Sequence, residues 1–404
     1  MKSMRILLLG LLSIGVAGPA TAQLGDPQQP GSVLVFPKFI RGTFNDTAVS
    51  LKTVHAKTEL EISVVCPTVL RGPDGISCAL AAAGLGENVR LRAHWVCPGV
   101  DHPSSPATCA EKDFDLETTV NGSLYFNPEG VTTMCTPGPF PVCTISSEVF
   151  PNNVSTTSFN PPNCDRGYLI VWVINSSGQP IKFDGLIGDA ILRTPTDVTM
   201  KNPTPTSARG YNAIAIQAGP DGPGFTTGSP TDLNGDGRLD FNGAEYMQVP
   251  GKIVGTVRYG NSVTAFGMPA VLQGGNVRTD LTLLTLDVFS SLGNLATNVG
   301  LNFYSTDEQF HSAATSFVCW GEQSLTNIDT NFRVQTMGRK GLVESRFAVQ
   351  QSFATVTPTL TPVSVLGLVE TFEYLAPGGN ETDLVRDYAY SLGGDIPVTT
   401  SFVP

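Results

Sequence analysis

Positive charge is scarce in this 404-residue chain, and so is charge of any kind: 24 Lys and Arg stand against 35 Asp and Glu, and charged residues are 15% of the total. A net charge of −11 leaves little to hold a polyphosphate backbone or an anionic bilayer surface, which excludes nucleic acid as a partner class. Signatures of chemistry are equally thin. The chain has no H-E-x-x-H, no G-x-S-x-G and no G-x-x-x-x-G-K-[ST], so zinc proteases, α/β-hydrolases and P-loop enzymes lack their anchor. Its four histidines, His55, His94, His102 and His311, are scattered without ligand or base spacing. None of its eight cysteines forms a C-x-x-C pair, which argues against a thiolate zinc site. Beyond residue 22 no run is long and apolar enough to span a bilayer. A glycosidase would need just two carboxylates brought together by folding, and the sequence singles out no such pair. Trp95, Trp172 and Trp320 could stack on sugars, but Trp95 falls on an apolar face and Trp172 inside an apolar run, so core packing is expected.

What is present points outward. Residues 1–22, MKSMRILLLGLLSIGVAGPATA, carry two cations, an apolar run from Ile6 to Val16 and an A-x-A ending, the pattern of a secretory signal peptide. Its removal takes Lys2 and Arg5 and leaves 22 cations against 35 anions, a charge of −13. Residues 23–31 read as a flexible Pro/Gln/Gly arm leading into the apolar strand Ser32 to Phe36. An exported chain with Cys66, Cys78, Cys97, Cys109, Cys135, Cys143, Cys164 and Cys319 is expected to form disulfides. Three adjacent couples close short loops, Cys66 with Cys78, Cys97 with Cys109 and Cys135 with Cys143, which leaves Cys164 for Cys319. The sequons at Asn45, Asn121, Asn153, Asn175 and Asn380 matter only in a eukaryotic secretory pathway.

With 42 Gly and 30 Pro, the chain suits many short strands joined by turns. An internal duplication is expected. "FPKFIRGTFNDTAVSL" from Phe36 lies over "MPAVLQGGNVRTDLTL" from Met268 at an offset of 232, and "NVRLRAHW" from Asn88 over "NVGLNFYS" from Asn298 at 210. A looser echo sets "RGYLIVWVIN" and "FDGLIGDAIL" beside "RKGLVESRFAV" and "SVLGLVETFEY". Val89, Leu91, Ala93 and Trp95 alternate with polar residues, as Val299, Leu301 and Phe303 do, so both segments read as half-buried strands. Tyr168 to Ile174 is apolar throughout and reads as a central strand covered on both faces. Helical spacing is confined to stretches around Leu80 and Leu384. The expected fold is all-β: two tandem antiparallel β-sandwich, Ig-like domains, residues 32–260 and 264–404, with a loop excursion over 219–251.

That excursion holds "PTDLNGDGRLDFNGAEY", Pro230 to Tyr246. With Asp232 as position 1, Asn234, Asp236 and Asp240 fall at positions 3, 5 and 9, Gly237 permits the sharp turn at 6, and Arg238 offers its carbonyl at 7. The spacing resembles the DxNxDGxxD calcium loops of integrin-α and EF-hand-related extracellular proteins. Position 12, a bidentate Glu in EF-hands, is Gly243, and Glu245 lies two residues late. The resemblance implies calcium held by Asp232, Asn234, Asp236, Arg238, Asp240 and Glu245. Over its whole length the chain resembles secreted bacterial β proteins. Function is therefore expected to be that of a secreted, non-enzymatic structural or adhesive protein of the cell surface or extracellular matrix. Its location would be extracellular, periplasmic or on the outer surface, with self-association or a cell-surface protein or glycan as partner. Carbohydrate binding or action on polysaccharide is the alternative.

Overall fold

The computed structural model of the chain describes residues 24–46, 53–65, 88–98, 109–119, 122–129, 132–135, 143–146, 159–194, 207–259, 277–287, 296–305, 308–329, 332, 343–355, 360–374 and 384–404. In chain order the strands are β1 (Val33–Ile40), β2 (Thr43–Asp46), β3 (Thr53–Ala56), β4 (Thr58–Val64), β5 (Asn88–Cys97), β6 (Ala110–Thr119) and β7 (Ser123–Phe126). They continue as β8 (Thr132–Cys135), β9 (Cys143–Ser146), β10 (Arg166–Ile174), β11 (Leu186–Thr194), β12 (Ser207–Asn212), β13 (Ile214–Ile216) and β14 (Leu239–Phe241). Next come β15 (Val249–Tyr259), β16 (Val277–Leu284), β17 (Thr297–Ser305), β18 (Phe310–Phe317), β19 (Trp320–Ser324) and the single turn α1 (Leu325–Ile328). The last are β20 (Val343–Thr355), β21 (Leu360–Pro362), β22 (Leu366–Tyr374), β23 (Leu384–Ser391), β24 (Gly393–Val398) and β25 (Thr400–Phe402). No helix among the described residues is long and apolar enough to cross a membrane.

The fold is all-β, with antiparallel pairing throughout its sheets. Four sheets dominate, in the orders β13-β1-β10-β5-β6, β12-β11-β4-β7, β18-β17-β20-β15-β24 and β19-β16-β22-β23. The order of pairing in the first two recurs in the last two, with β5 and β10 adjacent in one and β17 and β20 adjacent in the other. Three apolar clusters lie between successive sheets. Leu34, Leu91 and Trp95 of the first sheet pack with Leu60, Ile62 and Leu192 of the second, and Ile253, Leu283, Leu301 and Phe347 join the second pair of sheets. Val33, Ile170, Trp172, Leu284, Trp320 and Leu366 pack one half of the chain on the other. Burying each such side chain contributes about 1.5–3 kcal/mol. β10 serves two clusters at once, with Leu169, Val171 and Val173 on one face and Tyr168, Ile170, Trp172 and Ile174 on the other. This is why its sequence is apolar without alternation.

Two tandem Ig-like sandwiches would each close around a core of its own. The sheets are instead disposed as the four blades of a β-propeller, with a third core that packs the two halves on each other. Alternation marks a buried face but does not say which sheet covers it. β15, at the end of the expected first unit, pairs with β20 and β24 of the second half. Leu384 to Ser391, whose spacing suggested a helix, is strand β23, zipped along β22; eight residues of weak helical spacing yield to a free sheet edge. The stretch around Leu80 lies outside the described residues, as do Cys66 and Cys78.

Disulfides also depart from the expected pairing. Cys97 bonds Cys164 and Cys109 bonds Cys319. Cys97 and Cys109 sit near the ends of the hairpin β5–β6, where proximity in sequence suggested a local bridge, yet each is covered by a different cluster. Cys135 and Cys143 face each other in the register of β8 and β9. The Cys109–Cys319 bridge spans 210 residues and ties the halves together, a constraint on the unfolded chain of about 5 kcal/mol in the chain-entropy treatment. The expected arm is docked on its own chain: Leu24 pairs with Gln248, and the Gln217 amide binds the carbonyl oxygens of Asp26, Gln29 and Pro30. β1 is an interior strand between β13 and β10, completing its own sheet.

Charges also cross the seam between the halves. A register shift in β1 between Phe36 and Phe39 spans Pro37, which has no N–H for the ladder. Lys38, in this bulge, is 1% exposed and its ammonium bonds Glu370 on β22 and, at 2.5 Å, Glu322 on β19. Arg209 on β12 grips the other Glu370 oxygen at 2.6 Å, and Arg166 holds Glu322 at 2.6 Å. The Trp320 indole N–H donates to the Pro37 carbonyl at 2.9 Å alongside. Burial alone would push the Glu370 carboxyl up, but the Lys38 ammonium and the Arg209 guanidinium hold it down to about 2.

A carboxyl depressed in the fold contributes stability above its unfolded value, near 4.5, and loses it as pH falls towards 2. Glu370→Gln is expected to cost about 3 kcal/mol at neutral pH, because it removes the fully buried carboxylate shared by two buried cations and leaves Lys38 with Glu322 and Arg209 with Asp387 as their remaining counter-charges. It should also flatten the loss of stability between pH 4.5 and 2. Urea unfolding of both proteins across that range checks this; parallel pH profiles would rule it out.

Candidate metal loop

The loop from Thr231 to Tyr246 stands on a buried base. Leu239, Phe241 and Tyr246 are fully covered, the Phe241 and Tyr246 rings lie 5.6 Å apart, and the Tyr246 hydroxyl meets Thr231 Oγ1 at 2.7 Å. At Gly219 a Cβ would run into the Ala244 carbonyl, so glycine lets the preceding segment press against the loop. Above this base the backbone wraps Asp232. Its Oδ1 accepts the N–H groups of Gly235 at 2.7 Å and Asp236 at 3.1 Å, and its Oδ2 accepts that of Gly237 at 2.9 Å. Asn234 Oδ1 accepts the Asp236 N–H at 2.9 Å, and Asp236 Oδ1 accepts the Arg238 N–H at 3.0 Å. These are local Asx-type turns, in which alternate side chains bond the backbone a few residues on while Asn234 and Asp236 stay exposed. The turns need left-handed backbone at Gly235 and Gly237, with φ of +74° and +76°.

Of the six residues singled out by sequence, five side chains belong to this network. Asp240 sits in β14 and its Oδ2 accepts from the Asn234 amide at 3.0 Å. Arg238 points its guanidinium back at Asp236, 3.7 Å away. Glu245, out of step in sequence, folds under the loop: it is 2% exposed and its Oε1 accepts the Leu233 N–H at 2.9 Å. Its Oε2 is buried without a hydrogen-bond partner. Burial raises the Glu245 carboxyl above its usual range, and the charges of Asp240 and Asp232 add to this. Among the described residues no three or more acidic, His or Cys side chains are drawn together closely enough to hold a metal; the oxygen donors themselves are of the type a hard cation takes.

Elsewhere the residues with chemical potential are committed to structure. All three tryptophans are buried. His94 is buried with Nδ1 2.8 Å from Glu111 and its ring against Trp172, while His311 lies on β18 in another sheet. Sequence reading missed the charges of the seam, Lys38, Arg209 and Glu370. Their one local signal is Pro37 within an apolar strand.

No protein-family model matches the chain, and no curated protein matches it. Among solved structures it is similar to the crystal structure of the CupB6 tip adhesin from Pseudomonas aeruginosa, at 8% identity over 91% of this chain and 99% of that one. The TM-score is 0.14, so the likeness carries no argument.

Because Gly237 has φ of +76°, Gly237→Ala is expected to destabilise the loop by about 1–2 kcal/mol. Gly222→Ala, at a position with ordinary φ and open space for a Cβ, is expected to be neutral. Limited proteolysis of residues 219–251 with denaturant melts compares them; equal effects would contradict the loop geometry.

Proposed function

We propose that the chain is a secreted, non-enzymatic structural or adhesive protein of the cell surface or extracellular matrix, stiffened by calcium in the loop from Asp232 to Glu245. The observation that carries this reading is the buried Glu245 Oε2, without a hydrogen-bond partner, beneath the loop that carries Asp232, Asp236 and Asp240. Two disulfides suit an oxidising compartment. The recurring order of pairing in the two halves supports duplication of one module. A specific observation favours carbohydrate binding as the second reading: Tyr304 and Phe310, 53% and 54% exposed, face each other across β17 and β18 with ring centroids 5.2 Å apart. Outward aromatic pairs of this kind stack on sugars.

Extracellular loops of this type bind calcium at about 10⁻⁴–10⁻³ M. At about 10 mM calcium the fold is then stabilised by about 1.4–2.7 kcal/mol. Asp232→Ala or Asp236→Ala should abolish the corresponding rise in melting temperature and open the loop to protease. Identical melting of wild type in calcium and in chelator would sink the reading. Glycan-array binding lost in Tyr304→Ala would favour the second reading.

A further inference from the structure

The acidic loop does more than close on itself, because the end of the chain is held by it. Strand β25 pairs with β14, setting Asp240 opposite Ser401 and Leu239 opposite Phe402. The two oxygens of Asp240 are divided between two tasks. Oδ2 takes the Asn234 amide within the loop, and Oδ1 takes the Ser401 hydroxyl at 2.5 Å. Just beyond the loop, Gln248 Nε2 donates to Thr399 Oγ1 at 2.9 Å. Phe402 is 0% exposed and packs into the seam against Trp172 and His94.

A second observation singles out the same place. Among the described residues four buried side-chain oxygens lack a hydrogen-bond partner, and three of them, Glu245 Oε2, Gln248 Oε1 and Thr400 Oγ1, belong to the loop, its exit and the strand it holds. Of these, Glu245 Oε2 beneath the loop is the one an oxygen-seeking cation would draw on, since Thr400 is paired with Phe241 on the face away from Asp240. The docked strand has three residues and so few ladder bonds of its own.

We infer that the loop is a cation-dependent clamp on the C-terminal strand. A divalent cation that fixes Asp240 fixes the partner of Ser401, and with it the seating of Phe402 in the seam. The inference rests on the calcium reading above and adds a regulated element to it: without the ion the last residues are held by one short strand pair, the side-chain bonds of Ser401 to Asp240 and Gln248 to Thr399, and one aromatic anchor. Linkage makes the coupling reciprocal. Whatever factor calcium adds to strand docking, the docked strand adds to calcium affinity.

Hydrogen exchange on the full chain tests this with calcium alone as probe. In about 10 mM calcium the amides of residues 400–402 should exchange about tenfold more slowly than in chelator. Titration calorimetry should show Ser401→Ala and Phe402→Ala binding calcium more weakly than wild type. Ser401→Ala removes a single hydroxyl, and the wild-type exchange measurement needs no variant, so misfolding of Phe402→Ala would not rescue the idea. Calcium bound with equal affinity in all three proteins, with exchange at 400–402 unchanged, would overturn the clamp and leave the calcium reading standing. Absence of calcium binding in wild type would overturn both.

Discussion

The buried contact among Lys38, Glu370 and Arg209 is the constraint on which the arrangement of the halves depends. Three charged groups from β1, β22 and β12 meet where water is excluded. Their attraction does little more than offset the cost of desolvating them. Its effect is on specificity. Shifting one half against the other would strand a buried ion, at several kcal/mol, whereas apolar surfaces such as those of Ile170 and Leu284 tolerate small slides. The surrounding apolar cluster supplies affinity between the halves, the Cys109–Cys319 bridge limits their separation, and the charges select one docking.

The seam also decides where the rest of the chain can go. β15 joins the second half's sheet after leaving the acidic loop, and β24 runs back along β15. This delivers β25 to the loop's own strand, β14. The first described residues reach the same neighbourhood through Leu24 and Gln248. Leu24, Gly25, Ile216, Gln248 and Leu392 line a cleft of about 200 Å³ there. Both ends of the described chain thus lie beside residues 239–248.

What the sequence made legible follows from how local each signal is. The face of β5 carrying Val89, Leu91 and Trp95 and that of β17 carrying Val299, Leu301 and Phe303 are buried as their alternation implies, because a two-residue period is written in the strand itself. The loop was legible for the same reason: Asp232, Asn234 and Asp236 lie within one turn of backbone, and Gly237 is the glycine that turn demands. Pairing at long range left no such trace. Nothing near Cys109 marks Cys319 as its partner, and nothing beside Glu370, which shares strand parity with Leu366, Leu368 and Phe372, marks Lys38 and Arg209 as the cations that meet it. Leu384 to Ser391 shows the converse failure, where a weak local period gives way to the vacant edge of β22.

The two electrostatic devices of the molecule differ in who supplies the counter-charge. At the seam the chain supplies its own: Glu370 is matched by Lys38 and Arg209 and is buried, so salt barely screens it and only acid disarms it. At the loop, Asp232, Asp236, Asp240 and Glu245 are carried on one stretch of chain with Arg238 as the near cation, 3.7 Å from Asp236 and partly exposed. One guanidinium cannot neutralise four carboxylates, and Glu245 lies beneath the loop. Any further counter-charge comes from solution. In the calcium reading this gives the chain a fixed junction insensitive to its surroundings and, a few residues away, a fastening that responds to the ions around it.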